Sequence, residues 1–266
     1  MVKNFPLEQS NPERPVISVY PDAKAASVDV AQRIASLIRA KQRDNKQIVL
    51  GLATGSTPIY VYEELVRLHR EEELSFNNVI SFNLDEYFPM QPDSSQSYVA
   101  FMKKYLFDHI DIKPENVHIP DGTLARAEIE AYCSAYENKI KAVGGIDIQL
   151  LGIGRTGHIG FNEPGATRFS KTRLVELNDL TRTDAAPAFG SKEYVPTEAI
   201  TMGIDTIMAA RKILLMAWGR GKAEIVQKTM ETEVTATIPA TFLKTCEQVE
   251  FVLDNEAASL LTGLEA

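Results

Sequence analysis

The segment at residues 154–164, GRTGHIGFNEP, combines one histidine and one glutamate with closely spaced glycines. Glycine lets a backbone approach a small substrate closely. His158 can exchange a proton near neutral pH, and Glu163 can orient the imidazole and stabilise its charged form. A single histidine is usually a structural residue, but its place in a glycine-rich loop after an apolar run favours an acid/base role.

Two adjacent acids follow another apolar run. Asp85 and Glu86 come directly after residues 78–84, NVISFNL. A carboxylate at the mouth of a crevice can shuttle protons if burial brings its pKa toward the working pH. An isolated Asp-Glu pair is more often part of a turn, so this motif alone is a weak signal of catalysis.

Two further segments suit an anionic ligand. Gly55, Ser56 and Thr57 lie in the sequence TGSTP, which ends a short apolar run and opens a helical pattern. Free backbone amides at such a helix N-terminus form a seat for phosphate, although a plain turn capped by Thr57 is the alternative. Lys222 opens another helical pattern in WGRGK, where it can reach a phosphate or lie on the surface as an ordinary lysine.

The elements that must position these residues alternate between apolar strands and amphipathic helices. Strands are predicted at residues 47–53, 78–84, 146–151, 212–217 and 249–253. Helices are predicted at residues 22–42, from 58 to about 68, at 98–107, 125–143 and 221–230, and in a short final segment after Asn255.

This alternation predicts an α/β fold, a Rossmann-like and mostly parallel sheet with helices on both faces, whose strand C-termini form the ligand crevice. We expect a single α/β domain over residues 1–266. Residues 178–196 carry a glycine and two prolines, and the pattern there indicates an irregular surface excursion or an active-site lid.

The composition excludes several classes of function. With 266 residues, 44% hydrophobic and 24% charged, the chain has ordinary globular composition, and its net charge of -8 argues against a nucleic-acid or acidic-membrane partner. Cys133 and Cys246 have no metal-ligand spacing, so no metal site is expected. No apolar run is long enough for a signal core or a membrane helix, which makes the cytoplasm the expected location.

Five separated motifs resemble those of the glucosamine-6-phosphate deaminase (isomerase) family, in the same order. The similarity runs from about residue 15 to about residue 262 and includes TGSTP, NLDEY, GHIGFNEPG, AITMG and GRGKA. The resemblance implies a Rossmann-like fold and conversion of glucosamine 6-phosphate and water to fructose 6-phosphate and ammonia in amino-sugar catabolism. It implies no cofactor, a small amino-sugar phosphate as the partner, and leaves room for a homo-oligomer.

By position, the resemblance implies catalytic roles for three residues. His158 would assist opening of the pyranose ring, and Glu163 would support that histidine. Asp85 would take the C2 proton of the open form and return it at C1. The phosphate would be held by Gly55, Ser56, Thr57 and Lys222.

The chain departs from the family pattern at three positions. Thr156 stands where many members have an acidic residue, so the histidine must be oriented by Glu163, with Thr156 as a second candidate. The lid stretch at residues 183–189, TDAAPAF, has no arginine for the phosphate, which leaves Arg182 as a candidate. Val175 replaces a lysine of allosterically activated members, so we expect titration with N-acetylglucosamine 6-phosphate to leave the rate unchanged.

Two other functions remain open at this point. A 6-phosphogluconolactonase has a similar fold and a Gly-His loop, but its family lacks the FNEP sequence that follows His158 here. A sugar-phosphate-binding protein that has lost catalysis would explain Thr156, yet the joint presence of Asp85, His158 and Glu163 speaks against it.

Overall fold

The computed structural model describes residues 3–4 and 15–263. Its strands are β1 (Lys3–Asn4), β2 (Val16–Tyr20), β3 (Ile48–Leu52), β4 (Val79–Asn83), β5 (Asp85–Phe88), β6 (Val117–His118), β7 (Ile148–Leu151), β8 (Arg173–Glu176), β9 (Glu198–Thr201), β10 (Ile213–Ala217) and β11 (Val249–Asp254). Its α-helices are α1 (Ala23–Arg43), α2 (Ile59–Glu72), α3 (Tyr98–Tyr105), α4 (Ile129–Ala142), α5 (Asp179–Phe189), α6 (Ile204–Met208) and α7 (Ala223–Glu231).

The main sheet has the strand order β1-β2-β11-β10-β7-β3-β4-β6. Every neighbouring pair in it is parallel except β1 with β2. Helices α1, α2 and α3 cover one face, and α4, α6 and α7 cover the other. Successive side chains of β3 follow this division, because Ile48 and Leu50 pack toward the first layer and Val49 toward the second. The predicted α/β fold with a mostly parallel sheet is confirmed.

At the centre of the main sheet, between β7 and β3, the direction in which successive strands are added to the sheet reverses. From β3 the sheet grows outward through β4 to β6, whereas from β7 it grows the other way through β10 and β11. The loops that leave neighbouring strands β3 and β7 therefore diverge and open a crevice between them. Residues 53–58 and 152–164 form these two loops, which are the segments that the sequence singles out.

A second, antiparallel sheet with the order β5-β9-β8 lies beside this crevice. Asp85 is the first residue of β5 and pairs with Thr201 of β9. The preceding residue, Leu84, still donates its backbone N–H to the carbonyl of Leu52, at the end of β3. Asp85 thus occupies the junction of the two sheets, where neither backbone can move without the other.

The sequence pattern indicated an irregular backbone at residues 178–196. The structure differs, because this segment includes the helix α5. Asn178 caps this helix by accepting the backbone N–H of Thr181 at 2.8 Å. Pro187 lies near the C-terminal end of the helix, where a missing N–H costs only a terminal hydrogen bond. Ala185 and Phe189 pack on an apolar cluster with Tyr87 and Phe161 in it, and this packing outweighs the proline.

Three further expectations were wrong or incomplete. The segment after Asn255 forms turns rather than a final helix. Strand β2 and the small sheet were not predicted, because residues 16–20 were included in a polar entry segment and the small sheet's strands are only four residues long.

In the part of the chain that the structure describes, no helix has the length and apolar character needed to span a membrane.

Candidate active site

A cavity of about 280 Å³ opens at the carboxyl ends of β3, β4 and β7. Most residues that the sequence singles out line it. They are Gly55, Ser56, Thr57, Asp85, His158 and Lys222. Glu163 does not line the cavity but stands behind His158, and the other two candidates, Thr156 and Arg182, are also outside the lining.

Asp85 is the most unusual charge in the cavity. Its side chain is only 5% exposed, and none of the described residues donates a hydrogen bond to its carboxylate. Burial, together with the negative charge of Glu86, raises the pKa of Asp85 to about 8. The carboxylate of Glu86 accepts backbone N–H groups from Tyr87 and from the first two residues of α3, yet burial outweighs these donors and raises its pKa to about 7. Asp85 is therefore poised to exchange a proton near neutral pH.

His158 is held through its Nδ1 atom. Nδ1 lies 2.9 Å from Oγ1 of Thr156 and 3.4 Å from Oε2 of Glu163. The Thr156 hydroxyl also donates to Oε2 of Glu163 at 3.5 Å. Because the carboxylate can only accept, this arrangement favours a hydrogen on Nδ1 and leaves Nε2 free to give or take a proton in the cavity.

Glu163 is fixed from the start of α5. Asn178 donates from Nδ2 to Oε2 at 2.7 Å, and Thr181 donates from Oγ1 to Oε1 at 2.6 Å. Burial alone would raise the pKa of Glu163, but the hydrogen bond and charge of His158 and the hydroxyl of Thr181 outweigh it, so the pKa is lowered. Glu163 therefore stays charged beside the histidine, as a group that orients rather than one that exchanges protons.

Two glycines make room for this arrangement. A Cβ atom on Gly154 would stand 2.1 Å from Nε2 of His158, so only glycine lets the ring fold back over the loop. Gly160 has φ +55°, and a Cβ there would stand 3.2 Å from Oδ2 of Asp85. The glycines of the loop thus bring a histidine and a carboxylate against bare backbone, where a substrate can approach both.

The candidate phosphate seat combines a helix N-terminus with one lysine. The first turn of α2 has no side-chain cap, and Pro58 rather than Thr57 occupies its N-cap position, so the capped-turn alternative for Thr57 is wrong. Trp218 donates from Nε1 to the carbonyl of Thr57 at 2.8 Å and fixes the loop. Lys222 donates from Nζ to the carbonyl of Ile153 at 2.7 Å, and burial lowers its pKa.

Arg182 is directed away from the phosphate seat. Its guanidinium donates to the backbone carbonyls of Lys192 and Val195, at 3.0 and 3.1 Å, and closes the turn that follows α5. The hypothesis that Arg182 supplies the missing lid arginine therefore has no support from its position. The reason is local, because the carbonyls of a tight turn satisfy this guanidinium.

Several cavity residues were not recognised from the sequence. Tyr87, Tyr98 and Phe161 form an aromatic wall beside Asp85, with ring centroids 5.1 to 6.1 Å apart. Arg155 and Asp184 close the other side, where they form a salt bridge. The only signal for α5 was the spacing of Asn178 and Thr181, which is typical of a helix cap.

A larger cavity, of about 540 Å³, lies between α4 and β8. Two of its cations are already neutralised, because Arg126 pairs with Glu198 and Lys171 pairs with Asp205. It contains none of the glycine-rich loops. We therefore assign the chemistry to the smaller cavity, where the perturbed carboxyl and the histidine meet. Within residues 3–4 and 15–263, no three His, Cys, Asp or Glu side chains are grouped so that they could hold a metal ion.

The fold and this cavity are those of a class of proteins that act on sugar phosphates. The chain matches the family model described as glucosamine-6-phosphate isomerases/6-phosphogluconolactonase over residues 21–252. Because this match includes most of the chain, the chain belongs to that family.

Individual relatives show which members of this family the chain is similar to. A glucosamine-6-phosphate deaminase-like protein of Bacteroides thetaiotaomicron is 43% identical over 93% of this chain, which spans only 37% of that protein. A glucosamine-6-phosphate deaminase of Thermoanaerobacter sp. (strain X514) is 45% identical over 88% of this chain and 91% of that enzyme. A solved structure described as a monomeric glucosamine-6-phosphate deaminase has a TM-score of 0.88 at 43% identity, covering 92% of this chain and 99% of that one. The family resemblance inferred from the motifs is confirmed.

Proposed function

We propose that the chain is a glucosamine-6-phosphate deaminase, which converts glucosamine 6-phosphate and water to fructose 6-phosphate and ammonia. The observation that carries this proposal is the cavity that Asp85 and His158 both line, with Oε2 of Glu163 3.4 Å from Nδ1 of the histidine. The pKa of Asp85 is raised and that of Glu163 is lowered, in agreement with this geometry. An isomerisation needs one group that exchanges protons and one that holds the acid in place. The cytoplasmic location and a homo-oligomeric state stay predictions.

Ring opening is the first step, and His158 serves it. Nε2 takes the proton of the C1 hydroxyl and delivers it to the ring oxygen as the bond from that oxygen to C1 breaks, which leaves an aldehyde. The charge that develops on the imidazole is stabilised by Glu163, whose pKa is lowered. Thr156, at 2.9 Å from Nδ1, keeps the ring in the required orientation in place of an acidic residue.

Proton transfer between C2 and C1 is the second step, and Asp85 serves it. Its carboxylate removes the C2 proton while the C1 oxygen takes a proton from the substrate's own ammonium group, which gives an enolamine. Return of the first proton to C1 then leaves an iminium group at C2. Water then adds to C2 and ammonia departs, so that the ketone of fructose 6-phosphate forms. A base with a raised pKa suits this step, because it holds the proton firmly enough to deliver it to C1.

The phosphate seat positions the reacting carbons. The open N-terminus of α2, the hydroxyls of Ser56 and Thr57, and the ammonium of Lys222 line one side of the cavity, and Asp85 lies among the lining residues as well. Anchoring the substrate at its phosphate converts proton transfer into a reaction within one bound complex.

The test is release of ammonia from glucosamine 6-phosphate, with galactosamine 6-phosphate and 6-phosphogluconolactone assayed in parallel. We expect ammonia from glucosamine 6-phosphate and fructose 6-phosphate in equal amount. Ammonia from neither amino sugar would contradict the proposal. Hydrolysis of the lactone without ammonia would instead assign the chain to the lactonase branch of the family.

A further inference from the structure

A pair of opposite charges lies across the mouth of the cavity. Arg155 donates from Nε to Oδ2 of Asp184 at 2.9 Å, and its Nη2 contacts the other carboxylate oxygen. Arg155 belongs to the glycine-rich loop and Asp184 to α5. Both side chains line the cavity and remain about half exposed, at 52% and 41%. A substrate that enters the cavity therefore meets this pair.

The pair lies at the same end of the cavity as Lys222. The ammonium of Lys222 binds the carbonyl of Ile153, two residues before Arg155 in the same loop. Burial lowers the pKa of Lys222, and the charges of Asp184 and Arg155 act on it in opposite directions. Asp184 and Arg155 are thus close enough to Lys222 for their charges to affect its pKa, next to the open N-terminus of α2.

We propose that Arg155 is the second cation of the phosphate site and exchanges Asp184 for the phosphate of the substrate. The inference rests on the proposed function in one respect, namely that the cavity takes a phosphorylated sugar. A phosphate monoester carries nearly two negative charges and three acceptor oxygens, against one charge on the carboxylate. The planar guanidinium can bind two of those oxygens at once, which favours the exchange.

This role supplies what α5 lacks. Residues 183–189 contain no arginine, and the guanidinium of Arg182 is bound to the backbone carbonyls of Lys192 and Val195, outside the lining of the cavity. Arg155 reaches the same cavity from the opposite wall. Asp184 holds that guanidinium at the mouth while the cavity is empty and opposes any anion that enters, so it weakens phosphate binding.

The experiment measures competitive inhibition of ammonia release by inorganic phosphate, at constant ionic strength because exposed charges are screened by salt. Arg155→Gln should raise the inhibition constant of phosphate and the KM for glucosamine 6-phosphate by about tenfold, with kcat nearly unchanged. Asp184→Asn should lower the phosphate constant by about threefold, because it frees Arg155 and removes a repelling charge.

A matched control and a double variant complete the test. Arg126→Gln breaks another two-point pair, with Glu198, outside this cavity and should change neither constant. The double variant R155Q/D184N should behave like Arg155→Gln, since Asp184 acts on phosphate chiefly by occupying that guanidinium.

The outcomes separate this inference from the proposed function. If both single variants raise the phosphate constant alike, the pair is only a latch on α5 and the proposal is wrong. If Arg155→Gln leaves both constants unchanged while ammonia is still released, Arg155 is not a phosphate ligand and the deaminase function stands. If the wild-type chain releases no ammonia, the function fails, and calorimetric titration with phosphate still tests Arg155.

Discussion

Asp85, which is buried, and Glu163, which is partly buried, are two carboxyl groups at one site with opposite surroundings. Among the described residues, none donates a hydrogen bond to Asp85, and burial raises its pKa to about 8. Glu163 accepts hydrogen bonds from Thr156, Asn178 and Thr181, and its pKa is lowered despite burial, chiefly by His158. Two groups of the same chemical type thus have different proton affinities, because their neighbouring groups differ.

The difference teaches how the fold assigns roles. Glu163, which stays charged, lies against His158 and accepts hydrogen bonds from side chains, and these contacts also fix its position. A group that must pick up and release a proton is left without donors, in a place where the charged form is costly. Substitutions at or next to either carboxyl group, and the pH dependence of the rate, test this comparison.

The largest effect is expected at Asp85. Asp85→Asn keeps the shape of the side chain and removes the base, so turnover should fall by about a thousandfold. Inorganic phosphate should still bind within about twofold of wild type, because the phosphate seat is untouched. Ammonia release and phosphate titration measure the two quantities, and Asp108→Asn, an exposed aspartate, is the control. Full turnover in the Asp85 variant would remove this residue from the mechanism.

The pH dependence of the wild-type chain is the second prediction. Because the pKa of Asp85 is raised to about 8 and the base acts in its charged form, kcat/KM should rise with pH and level off above that value. Below it the rate should fall about tenfold per pH unit. Glu163, with its lowered pKa, remains charged over this range and should add no second slope. Glu86, whose pKa is raised to about 7, is not among the residues that line the cavity and should act only through its charge on Asp85. A flat profile between about pH 6 and about pH 8 would show that Asp85 is not the rate-controlling base.

The smallest effect is expected at Thr181, which acts only through Glu163. Thr181→Val removes one hydrogen bond to a partly buried carboxylate and should lower kcat by about tenfold, whereas Thr181→Ser keeps the hydroxyl and should restore most of it. If Thr181 were merely structural, both variants would lose heat stability without changing the pH profile. With a positioning role, Thr181→Val adds an ionisation of Glu163 to the profile at low pH.

Much of the fold could be predicted because the long elements carry strong local patterns. The strand at residues 48–52 and the helix α1 were located within a residue or two, since apolar periodicity and a capping aspartate at residue 22 mark them. The small antiparallel sheet could not be found this way. Its strands are four residues long, and β5 joins it through pairs of residues more than one hundred positions apart.

The same limit applies to the site. His158 and Glu163 stand in a motif with distinctive residue types, whereas Asp85 alone was a weak signal that gained weight from the family resemblance. The catalytic roles of all three stay predictions. The aromatic wall beside Asp85 and the pair of Arg155 with Asp184 were not visible in the sequence, because each is made by side chains from separate elements. Proline at position 187 also masked the helix α5, whose packing on Phe161 and its neighbours outweighs local propensity.

Asn178 has a consequence for how the protein reaches its working form. One side chain begins α5 through its oxygen and holds Glu163 through its nitrogen. Formation of this helix and completion of the histidine's surroundings are therefore a single event. A folding chain that has assembled its central sheet but not α5 should already bind phosphate at α2 while being inert toward the sugar ring. Activity toward the sugar ring should therefore appear only once α5 has formed.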